Sequence, residues 1–297
     1  VVFGEGANVD VGGLVAGTLD IATGDFMAGN YVFDGDGSGG SVSNAGDISA
    51  ADGGFVVLMG AEVVNDGVVT ATLGNVALLA GDAVTLDFDG DGLLSYSIDE
   101  AALDAAVENR GAIRADGGLV VMAASTAADL TTTVVNNGGL VQASGMVERD
   151  GKIILTSNAT TVNEGDISVA STDGVGGTVE LDGARTGQFG NVDADGSAGG
   201  GSVHIGATDV IDIGASSTTS ANATESGDGG TVIAYTDGET MFRAGGLIEA
   251  RGGASAGDGG FIEGSGKDYV EVRGLADTSA PAGEVGTFLI DPTDIDI

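Results

Sequence analysis

The sequence predicts an all-β chain wound as a right-handed parallel β-helix. Three observations carry that expectation: a repeat of about 26 residues, strand-forming runs between Gly-rich turns, and an almost complete lack of Pro. Of 297 residues, 56 are Gly and 2 are Pro, and the first 280 contain no Pro. The glycines fall in irregular pairs rather than at every third position, which excludes collagen. A hydrophobic content of 42%, mostly Val, Leu, Ile and Ala, argues against disorder and allows a sizeable core.

The repeat reads Asn-x-Gly-x-Ile/Val. Its clear instances are Asn44-Ala-Gly46-Asp-Ile48, Asn65-Asp-Gly67-Val-Val69, Asn109-Arg-Gly111-Ala-Ile113, Asn137-Gly-Gly139-Leu-Val141 and Asn163-Glu-Gly165-Asp-Ile167. Degenerate instances follow at Gln188-Phe-Gly190 and Ala244-Gly-Gly246, with a looser match around Ile213 and Ala215. Successive spacings are 21, 44, 28, 26, 25 and 56 residues, the last spanning two units. Each unit is a short strand, a Gly-containing turn and a longer strand, as in Ile113-Arg-Ala115, Gly117-Gly118 and Leu119-Val-Val-Met122. Alternating β-branched residues point one set of side chains inward. With ~4.8 Å between stacked strands and roughly 11 coils, the rod is on the order of 55 Å long. Crossover chirality selects the right hand.

Corner positions need φ > 0 or close backbone approach, which selects Gly, and a Pro inside a stacked strand would delete a ladder hydrogen bond. Asn44, Asn65, Asn109, Asn137 and Asn163 read as a structural ladder of stacked amides at one corner, in preference to a ligand site. The 44-residue step marks an excursion over residues 86–109 from what is otherwise a single solenoid, 1–297. Ser97-Ile-Asp-Glu100 is a capping-box start, and Ile98, Ala102, Leu103 and Ala106 share a helical face. A short helix is therefore expected near residues 97–108, covering one side or tip of the rod.

With 45 acidic side chains against 9 basic ones, the formal charge is −36. Nucleic acid and anionic membrane surfaces are improbable partners for such a chain. No apolar run approaches a membrane span, and the first residues do not read as a signal peptide. Without Cys there is no disulfide framework and no thiol chemistry. The chain starts at Val1 without Met and reads as a fragment or processed form of something longer.

Asp87-Phe-Asp89-Gly-Asp91-Gly92 opens like a calcium loop, but its twelfth position is Ile98 where a bidentate Glu is wanted. Ca²⁺ held loosely at Asp34 and Asp36, or at Asp87, Asp89 and Asp91, is weighed against solvated acidic turns. No other cofactor is indicated. For a polysaccharide-cleaving enzyme the candidates are Lys152, Lys267, His204 and the arginines, of which Arg110, Arg114 and Arg149 could stack on one face. The basic residues are scattered among the coils, and surface charge balance is the simpler reading. No phosphate-binding loop occurs, since Gly35-Asp-Gly37-Ser-Gly39-Gly40 is acidic.

The segments Val2–Val15 and Asp25–Phe33 resemble the later part of the haemagglutination-activity domain of filamentous-haemagglutinin-like exoproteins of two-partner secretion systems. So do Leu86–Gly118 and Val134–Asn137. The likeness is strong again at Glu249–Gly253, Asp258–Glu263 and Asp277–Asp294. The resemblance implies a Gram-negative protein, exported through a dedicated outer-membrane transporter and forming right-handed β-helical fibres used in adhesion. The family's Asn-Pro-Asn-Gly motif, expected just before Val1, is missing. The expectation is a secreted or cell-surface, non-catalytic structural or adhesive module, able to stack head to tail as a homopolymer and to meet a surface receptor. Its alternatives are a Ca²⁺-stabilised acidic filament subunit and a β-helical enzyme acting on polysaccharide.

Overall fold

The computed structural model describes the chain except residues 38, 90, 91, 128–132, 147–149, 292–294 and 297, and the side chains of 89, 92–94, 295 and 296. The strands that carry Val63, Val69 and Val76 follow one another round the coil, each turning a corner instead of folding back, so each pairs with the coil before and the coil after. The result is a parallel sheet of 27 strands, wound as a right-handed β-helix with three faces. The first face stacks Val2–Phe3, Ser41–Asn44, Glu62–Asn65, Ala106–Asn109 and Thr133–Asn137, and continues to Tyr269–Val272 and Ile295–Asp296. The second face carries the short strands, among them Val68–Thr70, Ala112–Arg114, Leu140–Gln142 and Asp166–Ser168. The third carries the long ones, among them Asn75–Ala80, Leu119–Ala124 and Lys152–Ser157. Eleven rungs on the first face make ten steps, or about 48 Å of rod at ~4.8 Å each.

Inside, side chains of one kind stack in register. On the second face Ile48, Val69, Ile113, Val141, Ile167 and Val192 lie one above another, all almost fully buried. On the third, Leu58, Leu78, Met122, Leu155 and Leu181 do the same. Each such side chain contributes roughly 1.5–3 kcal/mol by leaving water. On the first face the inner column turns polar at Thr161, Thr186 and Thr240. Their hydroxyls donate across the interior to the carbonyls of Asp182, Gly206 and Ser265, at 2.7, 2.5 and 2.8 Å.

The 44-residue spacing adds one coil and no more, because Glu62–Asn65 pairs directly with Ala106–Asn109. The excursion differs from the expected helix near residues 97–108. Gly92–Glu100 is a strand, antiparallel to Ala83–Asp89, which pairs in turn with Tyr31–Asp34. Ala106–Asn109 already belongs to the solenoid, so the excursion starts earlier than residue 86 and ends before 106. Period two wins over the helical reading because Tyr96 and Ile98 both pack on an apolar outer surface that an isolated short helix would not cover. Ser97, the supposed N-cap, instead donates to Asp99 at 2.7 Å, and Thr85 Oγ1 donates to Asp99 across the hairpin at 2.6 Å.

Beneath this sheet the third face is apolar on its outer side as well. Val57, Met59, Ala77, Leu79, Val121 and Ala123 are buried against Phe33, Val84 and Leu86, forming a second core beside the tubular one. The sheet therefore covers one side of the rod. The one helix among the described residues, Thr23–Ala28, lies elsewhere, and Gly29 ends it at φ 76°. There Gly29 and Asn30 donate to the carbonyls of Phe26 and Asp25.

Candidate functional site

Three features of the surface and corners have chemistry to offer: the Asn corner, the acidic turns with the added sheet, and the basic residues. At the corner between the first and second faces, Asn44 Nδ2 donates to Asn65 Oδ1 at 2.9 Å. Asn65 donates to Asn109, Asn109 to Asn137, Asn137 to Asn163 and Asn163 to Gln188 Oε1, each at 2.8 Å. All six side chains are buried. Each amide also serves the backbone: Asn44 Oδ1 accepts from Gly46 N–H at 3.0 Å and its Nδ2 donates to Gly46 O at 3.2 Å in the turn that follows, whereas Asn109 and Asn163 donate to Leu140 O and Asn191 O on the next coil. Both hydrogens and the oxygen of each amide are thereby engaged within the protein, and no group is left to hold a ligand.

The ladder is bounded by apolar residues. Phe3 lies opposite Asn44, and beyond Gln188 the equivalent positions are Ile213, Phe242 and Val272. This register agrees with the looser match around Ile213 and Ala215, and it corrects the copy aligned at Ala244, whose place Phe242 takes. After Phe3, Ile213 and Phe242 the turn is two residues longer than after a ladder amide, whereas after Val272 it is not; after Ile213 the hydroxyl of Ser217 donates to Gly214 O at 2.8 Å.

The acidic residues considered for Ca²⁺ are dispersed. Asp34 lies opposite Ala83 at one end of the Ala83–Asp89 strand, and Asp87 is four residues along it, about 13 Å away. Asp36 follows Asp34 in the turn where Gly35 N–H donates to Asp82 O at 2.6 Å. Asp89 ends the strand, and Asp91 lies outside the described residues. Among the described residues no group of three or more Asp, Glu or His is placed to hold a metal ion.

The basic side chains are scattered too, and most face an acid. Lys152 meets Glu180 at 2.8 Å on the outer third face, and Lys267 meets Asp237 at a distant turn. Arg110 bridges Glu108 and Asp66, whereas Arg114 ends a second-face strand, so the two do not stack. Arg149 lies outside the described residues. Arg243 lies between Asp212, at 2.9 Å, and Glu271, which Arg273 also holds at 2.6 Å. His204 projects outward between Glu180 and Ile233 on neighbouring rungs. This is charge pairing along the outer surface of the coils, with the described basic side chains dispersed among them.

What the sequence reading missed is an open apolar groove at the N-terminal end of the added sheet, about 410 Å³ in volume and lined by Val15, Ile21, Phe26, Tyr31, Phe55 and Phe88 among others. Tyr31 stands edge-on to Phe26 and to Phe88, with ring centres 6.1 and 5.0 Å apart, and Phe55 lies 4.9 Å from Phe88. Its aromatic residues come from four separate segments, which no local pattern unites.

Residues 1–169, which contain both the groove and the Asn ladder, match the family model of the TPS secretion domain. The chain belongs to that family. The fold agrees with it: the crystal structure of the HMW1 secretion domain from Haemophilus influenzae superimposes with a TM-score of 0.71 at 23% identity, covering 98% of this chain and 77% of that one. No curated protein matches the sequence. TPS domains belong to exoproteins of two-partner secretion and are recognised by an outer-membrane transporter. The chain is therefore a β-helical module exported across the outer membrane of a Gram-negative bacterium.

Proposed function

We propose that the chain is the non-catalytic, transporter-directed part of an extracellular adhesive fibre of the filamentous-haemagglutinin-like kind. The observation that carries the reading is the match of residues 1–169 to a secretion-domain family on a continuous parallel ladder. Supporting it, the described basic side chains mostly pair with acids between neighbouring coils and line no cleft. A ladder that ends in rungs such as Thr287–Leu289 offers backbone groups onto which further coils can add, which is how a rod becomes a fibre.

Two measurements test this. Co-expression with its transporter in a Gram-negative host should release the chain to the medium, and deletion of residues 1–169 should abolish release. Release that is indifferent to that deletion would end the secretion reading. Electron micrographs of native material should show rods or filaments bound to cells or to one another, and compact isolated particles without cell attachment would remove the adhesive part.

A further inference from the structure

A polar groove of about 320 Å³ follows the outer edge of the second face, beyond residues 1–169, and is lined by Asp195, Asn222, Thr224, Arg251, Ser279 and Pro281 among others. Its floor follows from the register. Asp193, Ser220, Glu249 and Asp277 lie one above another, so the residues two places on, Asp195, Asn222, Arg251 and Ser279, form a second column. Backbone bonds from Gly196 N–H to Asn222 O, Ala223 N–H to Arg251 O and Gly252 N–H to Ser279 O hold it in step. Three steps at ~4.8 Å make it about 14 Å long. The loops that follow stack as a wall, with Gly227 N–H donating to Ala256 O and Gly229 N–H to Asp258 O. The polar groups in the groove are fixed by the backbone yet loosely joined to one another. Asn222, only 4% exposed, donates its N–H to Asp195 Oδ1 at 2.6 Å, and its Oδ1 accepts from Arg251 N–H at 2.8 Å. Its Nδ2, in contrast, stands 3.3 Å from Asp195 Oδ2 and 3.4 Å from Glu249 Oε2, and the Arg251 guanidinium reaches Asn222 Oδ1 and Glu249 Oε2 only at 3.4 Å. These side-chain contacts are long for hydrogen bonds, so acceptors and donors alike keep capacity for a guest.

We propose that this groove binds a neutral polysaccharide. A sugar hydroxyl both donates and accepts, and neighbouring hydroxyls of one ring can meet Asp195 or Glu249 as acceptors and Asn222 or Arg251 as donors. The charges disfavour other ligands: the carboxylates repel an anion, and Arg251, lying among them, repels a cation. One extended pyranose unit is close in length to the ~4.8 Å spacing of the rungs, so a sugar chain laid along the rod meets a new polar side chain at each unit. The groove exists only in the wound rod and therefore serves the chain once it has been exported. The inference rests on the adhesive reading and names the class of surface that the module meets.

The test is calorimetric titration of the purified whole chain with neutral tetrasaccharides of glucose, galactose, mannose and N-acetylglucosamine, with the matching monosaccharides and with polygalacturonate. The natural sequence is compared with Arg251→Met, Thr224→Val and Lys267→Met. At least one neutral tetrasaccharide should bind saturably, tenfold or more tighter than its monosaccharide and with no dependence on salt. Arg251→Met should weaken that binding tenfold or more and Thr224→Val severalfold, whereas Lys267→Met, which removes a cation at a distant turn, should not. Thr224 is exposed and Val keeps its shape, so this variant should retain the natural melting temperature and separate binding from folding. Binding of none of the neutral tetrasaccharides, binding by both groove variants equal to that of the natural chain, or preference for polygalacturonate overturns the proposal. Attachment of cells to a surface coated with the chain reads adhesion separately. Attachment that Arg251→Met leaves unchanged, with no sugar bound, overturns the groove and keeps the adhesive reading. Sugar binding without attachment supports the groove and removes the adhesive reading.

Discussion

Asn109 accepts a hydrogen bond from Asn65 and donates one to Asn137, so truncating it strands a donor below and an acceptor above in a buried corner. At about 1–3 kcal/mol for each stranded group, Asn109→Ala should lower stability by roughly 2–5 kcal/mol, read from denaturant unfolding. A loss below 1 kcal/mol would mean that water enters the corner and the ladder is not closed. Of the two reasons for Gly at a corner, close backbone approach is the one that applies two residues after each ladder Asn. Gly67, Gly111, Gly139, Gly165 and Gly190 do not have positive φ. A methyl on each would instead strike the carbonyl oxygen of the corresponding Gly one coil earlier. Gly111→Ala should therefore cost about 2–3 kcal/mol or more. Gly24→Ala, in the exposed helix where an added methyl meets nothing, should stabilise by about 0.5–1 kcal/mol. Burial raises the carboxyl of Asp193, outweighing the Asp195 N–H that it accepts at 3.0 Å. A carboxyl raised on folding opposes folding once ionised, and the penalty vanishes as pH falls below the unfolded value of about 4. Asp193→Asn keeps the acceptor and should melt above the natural chain at pH 7, with the two converging below about pH 4. A gap that widens in acid would reverse the assignment.

At the scale of elements, the added sheet is separable from the ladder in a way the sequence hid. Because Glu62–Asn65 pairs directly with Ala106–Asn109, replacing residues 83–100 by a short Gly-Ser link should leave the coils in register. It would uncover Val57, Met59, Leu79 and Val121, so the shortened chain should keep its β-sheet circular dichroism while aggregating and binding a hydrophobic dye. Loss of the β-sheet signal would show that the sheet is needed for winding. That this segment leaves the solenoid was legible in its spacing, since 44 residues cannot fit one coil. Its conformation was not, because Ser97-Ile-Asp-Glu100 satisfies both a helix-start pattern and the alternation of a strand. Only the apolar outer surface below, contributed by residues 57–123, favours the strand. The helix Thr23–Ala28 had no apolar period to reveal it, and its side chains reach no core.

For the whole molecule, a charge of −36 on a narrow rod opposes compactness through like-charge repulsion. Raising NaCl from about 0.01 to 0.15 M shortens the screening length from ~30 to ~8 Å, so the melting temperature should rise. At equal ionic strength Ca²⁺ and Mg²⁺ should act alike. A calcium-specific rise, reversed by chelator, would place a dedicated ion among the acidic turns. By itself the sequence determined the winding and its inner columns: the repeat length, the recurring Val, Ile and Leu, and the amide at one corner. Residue type and period are local, and identical units that cannot bury a face alone have to stack. Only the tertiary structure decided what lies outside the tube. Which outer face needs cover, how closely one Gly passes the next, and that Phe26, Tyr31, Phe55 and Phe88 meet all depend on segments distant in sequence being brought to one side of the rod.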